Sequence, residues 1–96
     1  MQIRLTRSGG LTGLRRTITV DDSRLAPADR AQLQELLDRA GLERLPARVA
    51  ATDSQPDRFQ YELQVEDGVR RQTITVDEAA LPATLQPLLA WLVRHG

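Results

Sequence analysis

The sequence predicts an α+β fold: a two-layer sandwich in which a four-stranded, mainly antiparallel sheet carries two helices on one face. Three observations lead there. Short runs of alternating apolar and polar residues read as strands, as in "QIRLT" from Gln2 and "FQYELQVE" from Phe59. Two later segments space their leucines as an amphipathic helix does. Finally, the chain repeats itself: "GLRRTITVDDSRLAP" from Gly13 and "GVRRQTITVDEAALP" from Gly68 share a glycine, an arginine pair, "TITVD" and a closing Leu and Pro. Each copy leads into a helical pattern, so the order is ββα-ββα, a pseudo-repeat within a single domain spanning residues 1–96.

In the first unit Ile3 and Leu5 alternate with Gln2, Arg4 and Thr6, and Leu14, Ile18 and Val20 alternate with Arg15, Thr17 and Thr19. Such period-two runs are half-buried strands. Arg16 falls on the apolar face, where it must snorkel or sit at an edge. From Pro27 the stripe Leu33, Leu36, Leu37, Ala40 marks a helix, with Pro27 in its first turn and Gly41 as its C-terminal cap. Asp29 near its start and Arg39 near its end complement the helix dipole.

The second unit carries the cleanest strand, Phe59, Tyr61, Leu63 and Val65 facing inward. "EDG" at Glu66–Gly68 signals a tight turn. The return strand has one residue more than its counterpart, and a β-bulge near Arg71 or Gln72 would absorb it. Leu85, Leu88, Leu89 and Leu92 form the last helical stripe, with Trp91 at its side, and Pro82 and Pro87 confine the regular helix to its later turns. Between the units, Pro46–Asp57 reads as a long surface loop. Strand order between the hairpins is not encoded in these patterns.

Composition removes several classes of function. Thirteen arginines, with no lysine, balance thirteen acidic residues, and a zero net charge disfavours nucleic-acid binding, which draws its affinity from excess positive charge. Phe59, Tyr61 and Trp91 are the whole aromatic set, too few for a base-stacking surface. Without cysteine there is no thiolate nucleophile or thiolate metal site. No apolar run is long enough to span a membrane, and no secretory signal is visible, so a cytoplasmic location is expected, with non-standard export as the exception.

Catalytic chemistry is hard to assemble from what remains. His95, the single histidine, is the penultimate residue, where a frayed end would not hold a general base. The acidic pairs Asp21-Asp22, Glu66-Asp67 and Asp77-Glu78 lie at strand ends and turns, and neighbours on a strand point to opposite faces. No cluster has metal-ligand spacing. The reading is of a protein that is not an enzyme and takes no cofactor or metal.

The feature left over is the first hairpin's tip, "RSGGLTG" from Arg7 to Gly13. Two residues suffice to reverse a strand. Here three glycines surround one apolar side chain, Leu11. A phosphate-binding loop does not fit, because the chain continues as strand and no lysine follows. Taken alone, the segment is consistent with a glycine-bulged hairpin turn.

"RSGGLTGLRRTITV", "PDRFQYELQVEDG" and "TVDEAALP…LLAWL" together resemble the emfourin family, small protein inhibitors of thermolysin-like zinc metallopeptidases of the protealysin type. The resemblance runs from Gln2 to about Leu92 and is most specific at Gly9–Gly13 and Asp57–Gly68. Leu11 stands where the family often has an aromatic residue. The implied function is inhibition of such a peptidase by a domain that is monomeric when free.

The resemblance also implies a protease-binding site. Peptidases of this kind favour a large apolar side chain just after the scissile bond, and Leu11 would fill that pocket. Gly9 and Gly10 would let the backbone approach the catalytic floor. Ser8, Thr12 and Gly13 are expected as supporting contacts, with Arg7, Arg15 and Arg16 as rim charges. The tip holds no Asp, Glu, His or Cys, so obstruction of the cleft is expected rather than capture of zinc. The α-amine of Met1 is the lesser alternative as a ligand. A different class of function remains beside this one: a non-inhibitory interaction module that pairs through an edge strand or the arginine-rich sheet face.

Overall fold

The computed structural model describes residues 1–9, 15–50 and 59–95. Its strands are β1 (Gln2–Gly9), β2 (Arg15–Asp21), β3 (Arg48–Val49), β4 (Phe59–Glu66) and β5 (Arg71–Asp77), and its helices are α1 (Pro27–Ala40) and α2 (Gln86–His95). The α+β class is as expected, but the sheet has five strands rather than four, in the order β2-β1-β4-β5-β3. It is mixed, because β3 runs parallel to β5, pairing Arg48 with Thr75 and Val49 with Val76. The expected Pro46–Asp57 loop therefore begins with a short strand, which the backbone amide of Thr75 helps to hold by donating to the carbonyl of Ala47 at 2.8 Å. Residues 51–57 of that segment lie outside the described residues.

The pseudo-repeat has a spatial counterpart. The two hairpins meet through their first strands, antiparallel, with Leu5 opposite Leu63 and Gln2 opposite Glu66. Each second strand then leads through a single 3-10 turn, Asp22–Arg24 or Glu78–Ala80, towards its helix. This arrangement puts Gly9, at the end of β1, and the Asp67–Arg70 turn at opposite ends of the sheet.

One face of the sheet supplies one layer of the core. Ile3, Leu5, Val20, Leu63, Ile74 and Val76 are buried there, against Leu33 and Ala40 of α1 and Leu88, Leu89, Trp91 and Leu92 of α2. Each buried valine, leucine or isoleucine among them contributes about 1.5–3 kcal/mol on burial. Among the described residues none of the buried side chains is charged. Trp91 meets the usual demand on a buried indole by donating from Nε1 to Oε1 of Gln32 at 2.8 Å, which ties α2 to α1. Helix α1 starts at Pro27 and ends on Gly41, whose φ of 60° is the left-handed cap conformation that glycine adopts without strain.

Two local expectations are corrected. The extra residue of the second unit makes no bulge at Arg71 or Gln72, since β4 and β5 pair without interruption from Glu66 with Arg71 to Gln60 with Asp77. It is taken up in the turn instead. There the Asp67 carboxylate accepts from the amides of Val69 and Arg70, Gly68 has a φ of 89°, and Val69 is left 95% exposed. Nor is His95 frayed. It closes α2 with its ring stacked on Trp91 at 4.0 Å, Nδ1 3.0 Å from the Trp91 carbonyl oxygen and Nε2 3.9 Å from Asp29.

Candidate functional site

The candidate site residues divide between the legs of the first hairpin and its tip. Arg7, Ser8 and Gly9 end β1, and Arg15 and Arg16 begin β2. Gly10, Leu11, Thr12 and Gly13 lie outside the described residues. The legs are in register as far as Ser8 opposite Arg15, with Arg7 opposite Arg16 before it. On the other side of β1, Ser8 pairs with Gln60 and Gly9 with Phe59 of β4. The hairpin therefore rises from inside the sheet on one leg, β1, and from the sheet's margin on the other, β2. Gly9 has a φ of 114°, a backbone angle that a residue with a Cβ rarely adopts.

Alternation separates the four described residues that carry side chains by face. Ser8 and Arg15 share the solvent face with Thr6 and Thr17, whose hydroxyls are 3.3 Å apart. Arg7 and Arg16 lie on the other face, at the end of the core, which accounts for the out-of-pattern Arg16: it is exposed at the rim of the apolar layer. Arg7 does more. Its guanidinium carbon stands 3.8 Å from the centroid of the Phe59 ring and 6.0 Å from that of Tyr61, and Nη2 lies 3.6 Å from a carboxylate oxygen of Glu78. An exposed cation over an aromatic face is worth about 0.5–1 kcal/mol, and an exposed ion pair about as little. Together they fix β1 to β4 and to the 3-10 turn after β5. Burial pushes the Tyr61 phenol above its ordinary range, and the nearby Glu78 carboxylate adds to the shift.

Sequence reasoning missed Phe59, Tyr61 and Glu78 as parts of this site. Phe59 and Tyr61 look like ordinary core positions, and only the placement of β4 beside β1 brings them to Arg7. The four arginines at 15, 16, 70 and 71 do not form one patch. Arg15 is at the first hairpin's tip end, whereas Arg71 is at the far end of the sheet, 3.3 Å from Glu66.

The Met1 amine is at the opposite end of β1 from Gly9 and is engaged, donating to Oδ1 of Asp22 at 2.9 Å. That bond and the Asp22 charge raise its pKa. It is thus remote from the tip.

The Emfourin family's sequence profile matches residues 5–93. The chain belongs to the Emfourin family. No curated protein and no solved structure matches it. Membership in the Emfourin family implies the role of a metallopeptidase inhibitor, a role for a binding surface rather than for a catalytic centre. The match covers both legs of the hairpin and all the strands that support them except the first residues of β1.

Proposed function

We propose that this protein inhibits a thermolysin-like zinc metallopeptidase of the protealysin type by lodging the glycine-rich tip of its first hairpin in the active-site cleft. The observation that carries the reading is the Emfourin match over residues 5–93, which includes the whole tip. In this mechanism Leu11 occupies the apolar pocket beyond the scissile position, for about 1.5–3 kcal/mol if fully buried. Gly9 and Gly10 admit the backbone to the cleft floor, and Ser8, Thr12 and Gly13 supply supporting contacts beside it. Arg7, Arg15 and Arg16 meet the rim. The paired legs reduce the entropy lost on binding, because both ends of the segment are held before the partner arrives. Zinc stays in the enzyme, since nothing between Arg7 and Gly13 is a strong ligand and the Met1 amine is committed elsewhere.

The test is inhibition of purified protealysin by the wild-type chain and by Leu11→Asp. Wild type should inhibit at micromolar concentration or below. The variant should fold with an unchanged circular dichroism spectrum and inhibit at least tenfold less well. Equal inhibition by the two would remove Leu11 as the anchor, and no inhibition by wild type would remove the reading for that enzyme.

One observation favours the alternative of a non-inhibitory interaction module. Among the described strands β2 is paired on one side only, so its outer edge is open to strand addition. Under that reading the chain would bind an extended peptide without slowing any peptidase.

A further inference from the structure

A groove runs over the core face between the sheet and α2, starting at the base of the first hairpin. Its part nearest the hairpin is lined by Ile18, Tyr61 and Val93, with Arg16 at the border. The part further along, of about 380 Å³, is lined by Tyr61, Leu81, Leu89 and Val93, with Arg94 at the border. Tyr61 and Val93 belong to both, so the two parts are continuous. Val93 is 52% exposed on a helix whose Leu88, Leu89, Trp91 and Leu92 are buried.

The charge around this apolar floor is one-sided. Arg16 comes from β2 and Arg94 from the last turn of α2, and neither forms an ion pair with another described residue. Glu78, the carboxylate beside Tyr61, is engaged by Arg7. An apolar floor between two guanidinium groups that have no ion-pair partner among the described residues complements an apolar side chain with a carboxylate on either side. The groove also adjoins the legs of the first hairpin, because Arg16 lies directly opposite Arg7, two residues before β1 ends at Gly9.

Resting on the proposed function, we infer that this groove is a second docking surface for the peptidase, taking a surface segment outside the catalytic cleft in which carboxylates flank a large apolar side chain. The contact adds affinity and selects among peptidases whose clefts are alike. Its electrostatic part makes binding weaken as salt rises.

The experiment measures inhibition of protealysin by wild type, Leu11→Asp, Val93→Asp and Arg94→Glu, each at low and high ionic strength, with sedimentation of the free chains alongside. Both groove positions are at the surface, so their variants should fold, as circular dichroism will show. The inference expects each groove variant to inhibit at least fivefold less well, and the salt dependence to shrink in Arg94→Glu. Groove variants that inhibit as wild type does, while Leu11→Asp is impaired, would overturn the inference and leave the proposed function standing. Failure of wild type to inhibit would overturn both. A wild-type dimer at micromolar concentration that Val93→Asp dissociates would also overturn it, by assigning the groove to a second copy of the chain.

Discussion

The Arg7 guanidinium lies 3.8 Å from the centre of the Phe59 ring, joining the last turnward arginine of β1 to the first residue of β4. Gly9, two residues on, is the backbone partner of that same Phe59. The glycine-rich tip thus departs from a point held by strand pairing, a cation-aromatic contact and the ion pair to Glu78. Replacing Arg7 with Met keeps the length of the side chain and removes both charged contacts. Arg7→Met should lose about 0.5–1.5 kcal/mol of stability by urea titration. Inhibition of protealysin should weaken more than that loss of stability explains, because the hairpin's base is loosened in the folded protein.

Leu88 belongs to the scaffold and not to the site. It is fully buried in the core under the sheet. Leu88→Ala should cost about 2–5 kcal/mol, the range for emptying such a position. At temperatures where the variant is folded, its inhibition constant should match that of wild type. A large change in inhibition without a loss of stability would mean that α2 bears on the binding site through the core.

Stability should decline at both ends of the pH scale for reasons that can be separated. The amides of Arg70 and Val69 hold the Asp67 carboxyl below its ordinary value of 3.8. A carboxylate with a depressed folded value stabilises the protein above the unfolded value, and that contribution is lost as pH falls through the folded one. The Met1 amine is raised above 8.0, chiefly by its hydrogen bond to Asp22. Its contribution is complete below 8.0 and is lost as pH rises through the raised value. Melting temperatures taken across pH should show a shallower acid limb in Asp67→Asn, which keeps an acceptor oxygen for the turn, and a shallower alkaline limb in Asp22→Asn. The absence of lysine keeps the second effect free of other ammonium groups.

Much of the fold is legible in the sequence because its signals are local. Leucine spacing marks both helices, Pro27 and Gly41 bound the first, and Ile3, Leu5, Leu63, Ile74 and Val76 alternate as the sheet's inner face. What escapes is non-local. A two-residue parallel strand at Arg48–Val49 has no periodicity to detect and exists only because β5 offers it an edge. The extra residue near Val69 has two physical solutions, a bulge or a longer turn, and Asp67 favours the turn by accepting from two of its amides. His95 looks free in a linear reading, whereas stacking on Trp91 and the approach of Asp29 hold it.

The candidate site is legible in the same uneven way. The unusual density of glycine around Leu11 singles out the tip, and alternation puts Arg16 at the apolar margin. The aromatic support beneath Arg7 depends on β4 lying next to β1, a fact of strand order that no hydrophobic pattern contains.

Occlusion of the catalytic cleft is tested most directly by competition. Protealysin is titrated with the chain in the presence of increasing amounts of a small zinc-binding peptide inhibitor that fills the cleft. Mutually exclusive binding is expected, with the chain's apparent inhibition constant rising in proportion to the peptide's concentration. Independent binding of the two, at an inhibition constant that the peptide leaves unchanged, would contradict the account.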